Sequence, residues 1–522
     1  MLHKAAGFFD FLRKHAAGGV AFLCAAFMLC VVPLYFQDAF FDINRCKVNL
    51  VQRVMPPLCA LMAAALILRG RRPHDRASFA EVRMPMLAML ALLAACVTAC
   101  AVNGFEPSML DGSQGRYCGL FFMLCCGGAF YAIACSAMPG RLIAGLMLAC
   151  ASAVALLGLL NAMGMDPLGF YVGIKQGQQS TFLSTIGHFD FFGTYLLMMF
   201  GVAAGLFVFG RRRAARIPAG VCAGMIAMGM CASRTDSAIG GMHLVLLAIA
   251  ALTGNSLMQM ARAAGLWAVC FIALPVVRTL VGSSPYHPHF SGLPAILSQM
   301  PVAGAFALVF VGLSLFFYGL EKRGARAPGR RCLARLAAVV FAAIVVLLLA
   351  ALLWFSVVDA QTDLGEAESF LRFNDLWGSV RGFAWIRSMR AFGDYTLLEK
   401  LFGRGMETTL STLEPYFDDP SMIARAGGVF NDPHCQPLQM LLTCGLFGMG
   451  AFLAFYAFMV RTLLRRAGED PLLCGLFGSL AGYLIIMLIN VTQPILLSTY
   501  FSICGLALAR VRARNRKEAA EP

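Results

Sequence analysis

Polar segments interrupt a largely apolar chain, and three of them carry residue types that can bind phosphate or move protons. Arg234 stands in the segment SRTDS (residues 233–237), and His434 stands in NDPHCQPL (residues 431–438). Arg381 and Trp385 lie four residues apart, so they share one face of a predicted helix. Arginine matches phosphate oxygens with paired N–H donors, and histidine titrates near neutral pH. These residues are our candidates for an anion site with an acid, base or orienting histidine.

Each segment also has an ordinary structural interpretation. Arg234 could be a snorkelling arginine in an interfacial turn. Arg381, Arg387 and Arg390 could lie on the solvated face of an amphipathic helix, although Arg387 could equally join a guanidinium clamp on a diphosphate. His434 could be a loop or helix-capping residue. The residues alone leave these alternatives open.

His188 and Asp190 are further candidates, because they stand in STIGHFD (residues 184–190) directly before an apolar run. With His287 and His289 they could form a metal site, but no spacing here matches a recognised ligand set. We therefore expect no metal and no cofactor. Cys435 directly follows His434, and adjacent side chains rarely face each other productively, so we do not expect it to be a nucleophile.

The composition of the chain indicates whether water or lipid surrounds the fold that positions these residues. Of the 522 residues, 59% are hydrophobic and only 13% are charged, against about 25% charged in soluble domains. Such a chain must be solvated largely by lipid. The formal net charge of +15 comes from short basic clusters between apolar runs, which argues against nucleic-acid binding. Most of the 19 cysteines lie inside apolar runs, where cysteine acts as a small hydrophobic residue.

The apolar runs predict an all-α, polytopic transmembrane helix bundle of about 14 spans, with 12 to 14 as the range. We expect the first run to be a retained span, since it is too long for a signal-peptide core and lacks a cleavage site. The predicted spans lie near residues 18–37, 48–68, 84–103, 117–138, 142–163, 191–210, 217–233, 237–254, 263–281, 295–320, 336–358, 438–460, 471–490 and 495–510, of which the spans within 217–254 and the last are short.

Basic residues predict the orientation of the bundle. Most lysines and arginines fall in connections that lie on one side when both termini are cytoplasmic, as the positive-inside rule requires. Residues 359–437 then form one long extracytoplasmic loop, and loops of that length are usually functional. We predict short amphipathic helices in it, including one at 376–392, and irregular structure at 415–433, where prolines and glycines accumulate.

Several motifs, in this order, resemble the O-antigen ligase and polymerase family of polytopic membrane proteins. They are STIGHFD (184–190), ASRTDS (232–237), Arg381 with Trp385, LFGRG (401–405), PHCQPLQ (433–439) and CGLFG (444–448). The resemblance covers about residues 180–450 and includes the long loop. This sequence has His188 and Asp190 where the family has asparagines, and Cys435 where the family has an asparagine after the histidine. Two spans, near 263–320, are additional to the commoner layout.

The resemblance implies a membrane glycosyltransferase. Such enzymes move a glycan from undecaprenyl diphosphate to a hydroxyl of a glycan, lipid or protein acceptor at the outer face, without metal and with inversion at the anomeric carbon. Arg234 and Arg381 would hold the diphosphate, and His434 would be the catalytic histidine. We predict that Arg387, Trp385, His188, Asp190 and Arg404 contact substrates.

The resemblance also implies a bacterial plasma (inner) membrane protein with lipid as its surroundings and no nucleic-acid partner. We predict three regions: N-terminal transmembrane helices (1–180), a ligase-like region (181–460), and C-terminal helices with a basic cytoplasmic tail (461–522). The alternative function is a transporter or flippase of a lipid-linked glycan, which predicts charged residues near mid-membrane and paired broken helices. A non-catalytic scaffold would leave the loop motifs unexplained.

Overall fold

A computed structural model describes residues 15–70, 78–286, 289–425, 428, 430–468 and 470–519. Within these ranges the chain is mainly helical with almost no strand, and 12 helices are long and apolar enough to cross a membrane. This confirms the predicted all-α polytopic fold. The 12 helices are α1 (His15–Leu34), α2 (Ile43–Arg69), α3 (Arg83–Val102), α6 (Gly140–Ala162), α7 (Phe189–Phe209), α8 (Arg213–Ser233), α10 (Leu257–Val281), α12 (Met300–Lys322), α13 (Arg330–Val358), α19 (Gln436–Arg466), α20 (Pro471–Ile489) and α21 (Pro494–Glu518).

Two further apolar helices occupy the remaining predicted spans, but they are shorter. They are α5 (Leu120–Ala134) and α9 (Asp236–Ala251). At about 1.5 Å per residue, helices of this length fall short of a hydrocarbon core about 30 Å thick. The last helix, by contrast, is longer than its apolar run predicts, because the basic tail beyond Arg510 continues the helix to Glu518.

Short elements complete the fold between the long helices. They are α4 (Pro107–Asp111), α11 (Gly292–Leu297), α14 (Glu368–Leu371), α15 (Trp377–Gly393), α16 (Leu397–Phe402), α17 (Thr409–Leu413), α18 (Pro420–Arg425) and a hairpin of β1 (Phe182–Leu183) with β2 (Gly187–His188). Helix α15 confirms the predicted helix at 376–392 from Arg381 onwards, but Gly378, Ser379 and Val380 form a left-handed turn near its start. The prediction of irregular structure at 415–433 is wrong in part, because Pro420 stands at the start of α18, where a proline needs no N–H partner.

Helices α7 and α21 form the centre of the bundle. Nearly all residues in their apolar stretches are buried. Small residues let α7 approach α20 closely, since Gly201 and Gly205 face Ser479 and Gly475. Helix α13 lies at the periphery, with no residue buried within the protein, so its apolar surface is left for lipid. The core of the bundle therefore surrounds α7 and α21, between the connections at their two ends.

Those connections collect at two opposite faces of the bundle. One face, which we call the loop face, carries residues 359–435. At the other face Arg466 pairs with Glu81 (Nε to Oε2, 2.7 Å) and with Glu518 (Nη1 to Oε1, 3.0 Å). There Arg510 also donates to Asp470, the cap of α20. The C-terminal helix thus ends on the face opposite the long loop.

Candidate active site

The segment 431–434 is fixed at the loop face by contacts from three distant parts of the chain. Asn431 Oδ1 accepts a hydrogen bond from Arg116 Nε (2.9 Å). Asp432 is buried, and its Oδ2 accepts from the backbone N–H of Thr492 (3.0 Å). The carbonyl of Pro433 accepts from Trp385 Nε1 (2.9 Å). His434 follows directly, so its backbone position is set by these three contacts.

Asp432 also determines the conformation of His434. Its Oδ1 accepts from the backbone N–H of His434 (2.7 Å), and its carbonyl oxygen lies 3.1 Å from His434 Nδ1. The backbone of His434 has φ 57°, a left-handed conformation that is uncommon for a non-glycine residue. A carbonyl oxygen can only accept a hydrogen bond, so Nδ1 carries the proton and Nε2 is left unprotonated. The residue thus presents a proton-accepting nitrogen.

The pKa of His434 is lowered to about 3. Burial is the main cause, and the positive charges of Arg381 and Arg116 add to it, with a smaller contribution from His188. The imidazole is therefore neutral at physiological pH, which is the state that an orienting group or a base requires. Arg381, Arg116 and His188 therefore lie within electrostatic reach of His434.

Arg381 lies on α15 and faces two carboxylates. Its Nη1 donates to the carbonyl of Gly378 (2.5 Å), which belongs to a left-handed turn in α15. Its buried Nε has no hydrogen-bond partner among the described residues. Burial lowers its pKa, and attraction by Asp190 and Asp236 opposes that shift. A buried guanidinium with an unused donor is poised to bind a further anion.

His188 and Asp190 come from the hairpin and the first turn of α7. His188 caps α7 by accepting from the backbone N–H of Asp190 (3.2 Å), and its Nδ1 lies 3.8 Å from the Asp190 carboxylate. Burial lowers the pKa of His188, with Asp190 opposing this effect and Arg116 adding to it. The hairpin turn is held in place because Asn161 accepts from the backbone N–H of Ser184 (2.9 Å).

Arg234 lies between α8 and α9, beside this group. It has φ 59°, which gives α8 a left-handed C-cap and turns the chain sharply into α9. Its Nη2 donates to the carbonyl of Ser180 (2.8 Å), and its guanidinium lies 5.7 Å from the ring centre of Phe189. In the part of the chain that the structure describes, the buried Nε of Arg234 has no hydrogen-bond partner. Burial lowers the pKa of the Arg234 guanidinium. Like Arg381, it keeps an unused donor.

Trp385, Arg387 and Arg404 occupy supporting positions. Trp385 holds the segment of His434 through Pro433, as described above. Arg387 is largely buried and pairs with Asp375 (Nη1 to Oδ1, 2.5 Å) and Asp418 (Nη2 to Oδ1, 2.6 Å). Arg404 pairs with Glu399 (2.8 Å) and lies over the ring of Tyr395. These pairings favour roles in holding the loop together, and substrate contact by these residues remains a prediction.

The two glycine motifs pack directly against each other. Gly403 (φ 76°) faces the backbone of Thr443, and Gly445 (φ 67°) faces the backbone of Leu401. The backbone N–H of Gly405 donates to the carbonyl of Thr443 (2.9 Å). A Cβ atom at Gly403 or Gly445 would collide with backbone atoms, so only glycine permits this crossing. The crossing anchors the long loop to α19 at Thr443 and Gly445, about three turns after His434.

Sequence reasoning missed Arg116, Glu407 and Asp432. Arg116 lies in the connection between α4 and α5, and its backbone N–H donates to the carboxylate of Glu407. Burial raises the pKa of Glu407 to about 7 and also raises the pKa of Asp432. The acidic residues stand beside recognisable motifs, since Glu407 follows LFGRG and Asp432 precedes His434. Nothing in the sequence around Arg116 distinguishes it from other basic loop residues.

The structure also bears on the two alternatives raised by the sequence, a metal site with His287 and His289 and a nucleophilic Cys435. His287 lies outside the described residues, and among the residues that are described no group of three or more His, Cys, Asp or Glu side chains is arranged to hold a metal. Burial raises the pKa of Cys435 to about 11. The Cys435 thiol is therefore protonated at neutral pH, which disfavours it as a nucleophile.

Fold and site together define a polytopic membrane protein with a histidine and several arginines gathered at one face, below a long loop. Residues 290–453 match the family model described as O-antigen ligase (Wzy_C). The match confirms the resemblance to the O-antigen ligase family over this stretch of the chain. It includes Arg381 and His434, while His188 and Arg234 precede it. Among curated proteins, none matches this chain.

Proposed function

We propose that the protein transfers a glycan from undecaprenyl diphosphate to an acceptor hydroxyl at the outer face of a bacterial plasma membrane. The observation that carries this proposal is the placement of His434, neutral and with Nε2 unprotonated, within reach of the positive charge of Arg381. The family match supports a glycan transferase, because it covers the loop that holds both residues.

The arginines would act on the leaving group. A diphosphate gains negative charge as its bond to the anomeric carbon breaks, so it needs charge neutralisation more than protonation. Arg381 and Arg234 each have a buried Nε for which the described residues provide no hydrogen-bond partner. Each would donate to diphosphate oxygens in a partly dry site, where such hydrogen bonds are strong.

His434 would act on the acceptor. In the proposed step the acceptor hydroxyl oxygen bonds to the anomeric carbon while the bond from that carbon to the diphosphate oxygen breaks. The leaving undecaprenyl diphosphate keeps the electron pair, and the hydroxyl proton passes to His434 Nε2. Attack from the face opposite the leaving group inverts the anomeric carbon. The step as written uses no metal ion.

The diphosphate itself would adjust the histidine. In the empty site Arg381 and Arg116 disfavour a proton on His434. A bound diphosphate would offset those positive charges, which raises the pKa of His434 towards the range where it accepts a proton effectively. His188 and Asp190, which lie within electrostatic reach of Arg381 or His434, would orient the hydroxyl groups of the substrates.

Complementation of a glycan-assembly mutant tests this function. The wild-type chain should restore the surface glycan, and His434→Ala should not, although both proteins reach the membrane in equal amounts. Arg390→Gln is a matched control, since Arg390 is exposed and, within the described ranges, its side chain makes only a long ion pair with Asp418 (3.5 Å). Full activity of His434→Ala would refute the mechanism.

The lipid intermediate that accumulates in the His434→Ala strain separates the remaining possibilities. Single undecaprenyl-linked units at the outer face indicate a lost polymerase, and long undecaprenyl-linked chains indicate a lost ligase. Accumulation of the intermediate at the inner face instead would support the alternative, a transporter or flippase of the lipid-linked glycan.

A further inference from the structure

Arg116 joins the N-terminal helices to the segment of His434. It lies in the connection between α4 and α5, far in sequence from the long loop. Its backbone N–H donates to the Glu407 carboxylate, and its Nε donates to Asn431 Oδ1 (2.9 Å). Asn431 returns a hydrogen bond from Nδ2 to the carbonyl of Gly115 (3.4 Å). Among the described residues, the Arg116 guanidinium is therefore held through its Nε only.

The outer part of this guanidinium is available. Within the described part of the chain, Nη1 and Nη2 of Arg116 make no hydrogen bond, although the side chain is half-buried. Its positive charge acts on both His434 and His188, which come from different parts of the fold. An arginine with Nε fixed and both terminal nitrogens free presents the donor geometry that binds phosphate oxygens bidentately.

We propose that Arg116 is a third arginine that contacts the diphosphate of the glycan donor, and that Glu407 is its positioning residue. This inference rests on the proposed function. It extends the site to a residue outside the stretch that matches the family model, residues 290–453. Arg116 and Glu407 act as a unit, because the carboxylate fixes the backbone of the arginine while Asn431 fixes its side chain.

Gly115 makes this junction possible. A Cβ atom at Gly115 would collide with the carboxylate of Glu407. Glu407 itself is buried and has φ 59°, so it is tightly constrained and cannot easily move aside. Substituting Gly115 with alanine should therefore displace Arg116 without removing any charged side chain from the protein. Gly393 is a matched control on the loop, since nothing lies within 4 Å of the position of its Cβ.

Binding of undecaprenyl diphosphate to the purified full-length protein in nanodiscs tests the proposal, with undecaprenol as the uncharged comparison. Arg116→Gln should weaken binding by about 10- to 100-fold, as expected for the loss of charge-assisted hydrogen bonds. Arg116→Lys should lose less, because it keeps the charge but not the bidentate geometry. Arg390→Gln should bind as the wild type does.

The positioning role of Glu407 has its own readout. Glu407→Gln and Gly115→Ala should both weaken binding of undecaprenyl diphosphate, with binding of undecaprenol and the thermal unfolding midpoint unchanged. Glu407→Gln should lose less than Glu407→Ala, since the amide oxygen still accepts from the backbone of Arg116. If Gly115→Ala lowers the unfolding midpoint and leaves diphosphate binding at the wild-type value, Glu407 is structural only and the positioning role is refuted.

Two outcomes separate this inference from the proposed function. If Arg381→Gln loses binding and Arg116→Gln binds as the wild type does, the third arginine is refuted and the proposed function stands. If the wild type binds undecaprenyl diphosphate no better than undecaprenol, both are refuted. Should Arg116→Gln fail to fold, Arg116→Lys decides. If Arg116→Lys binds undecaprenyl diphosphate as tightly as the wild type does, and inorganic pyrophosphate competes equally well in both proteins, the proposal is refuted.

Discussion

The protonation of His434 gives a quantitative prediction for the pH dependence of transfer. A histidine with an ordinary pKa near 6.5 would be about 3% neutral at pH 5, so a reaction that needs the neutral form would slow by about 30-fold between pH 8 and pH 5. Burial, Arg381 and Arg116 lower the pKa of His434 to about 3. At pH 5 only about 1% of it would then be protonated, and kcat/KM should not decline because of this residue.

The sign of this effect follows from the free enzyme. A lowered pKa means that the neutral form persists to lower pH, so the acidic decline in kcat/KM moves down in pH and out of the measured window. The value of kcat reports the enzyme with its substrate bound. The bound diphosphate offsets the arginines, so the acidic limb of kcat should lie at higher pH than that of kcat/KM.

Glu407 also titrates between pH 5 and pH 8, so its titration must be eliminated by substitution before the pH profile can report on His434. Burial raises its pKa to about 7, so its carboxylate gains a proton as the pH falls from 8 to 6. In a Glu407→Gln background that position stays uncharged at every pH. Burial also lowers the pKa of His188, so its charge changes at a lower pH than that of an ordinary histidine.

The assay is transfer from a purified undecaprenyl-diphosphate glycan in nanodiscs between pH 5 and pH 8. The Glu407→Gln enzyme should show kcat/KM that is flat within about threefold, compared with the 30-fold decline of an ordinary histidine. His434→Ala should be slow and equally flat. A decline of about 30-fold centred near pH 6.5 in Glu407→Gln, absent in Glu407→Gln with His434→Ala, would refute the reasoning.

Three further predictions concern the supports of the site. Trp385→Phe removes the N–H that binds the carbonyl of Pro433, so kcat should fall by about 5- to 30-fold, corresponding to about 1–2 kcal/mol, with protein yield unchanged. Gly445→Ala should destabilise the fold by at least about 1–3 kcal/mol and reduce the monodisperse peak in size-exclusion chromatography. Gly450→Ala should do neither, because no described atom lies within 4 Å of the position of its Cβ. Arg387→Gln should make the loop more sensitive to limited proteolysis, because it loses partners on both Asp375 and Asp418, and Arg390→Gln should not. A wild-type kcat for Trp385→Phe, equal behaviour of the two glycine variants, or equal proteolysis of the two arginine variants would contradict these predictions.

Features encoded locally in the sequence were predictable. Apolar runs predicted the membrane helices, because each must satisfy its backbone within itself and present apolar side chains to lipid. The same reasoning predicted helix α15, whose apolar residues face Phe430 and the loop while Met389 and Arg390 stay exposed. It was less accurate where a helix end depends on more than hydropathy, as in α21, whose basic tail continues the helix past the apolar run.

Features that depend on contacts between distant segments were not predictable in this way. The sequence indicated that arginines and a histidine lie at one face, but it could not show which arginine has free donors. Arg387 and Arg381 lie six residues apart on one helix and read alike in sequence. Two carboxylates pair with Arg387, whereas Arg381 has a buried Nε with no hydrogen-bond partner in the described parts of the chain. The difference comes from Asp418 and Asp375, whose approach depends on the fold of the whole loop.

The segment 431–434 shows why the site needs the entire bundle. Asn431 is held by a residue between α4 and α5, Asp432 by the connection before α21, and Pro433 by α15. Each contact alone is worth only about 1 kcal/mol, but all three must form for His434 to keep its left-handed backbone and its protonated Nδ1. The long loop therefore cannot position the histidine unless the first and last helices are in place. This explains how residues outside the matched stretch, Arg116 and Thr492, can determine the chemistry of a histidine within it.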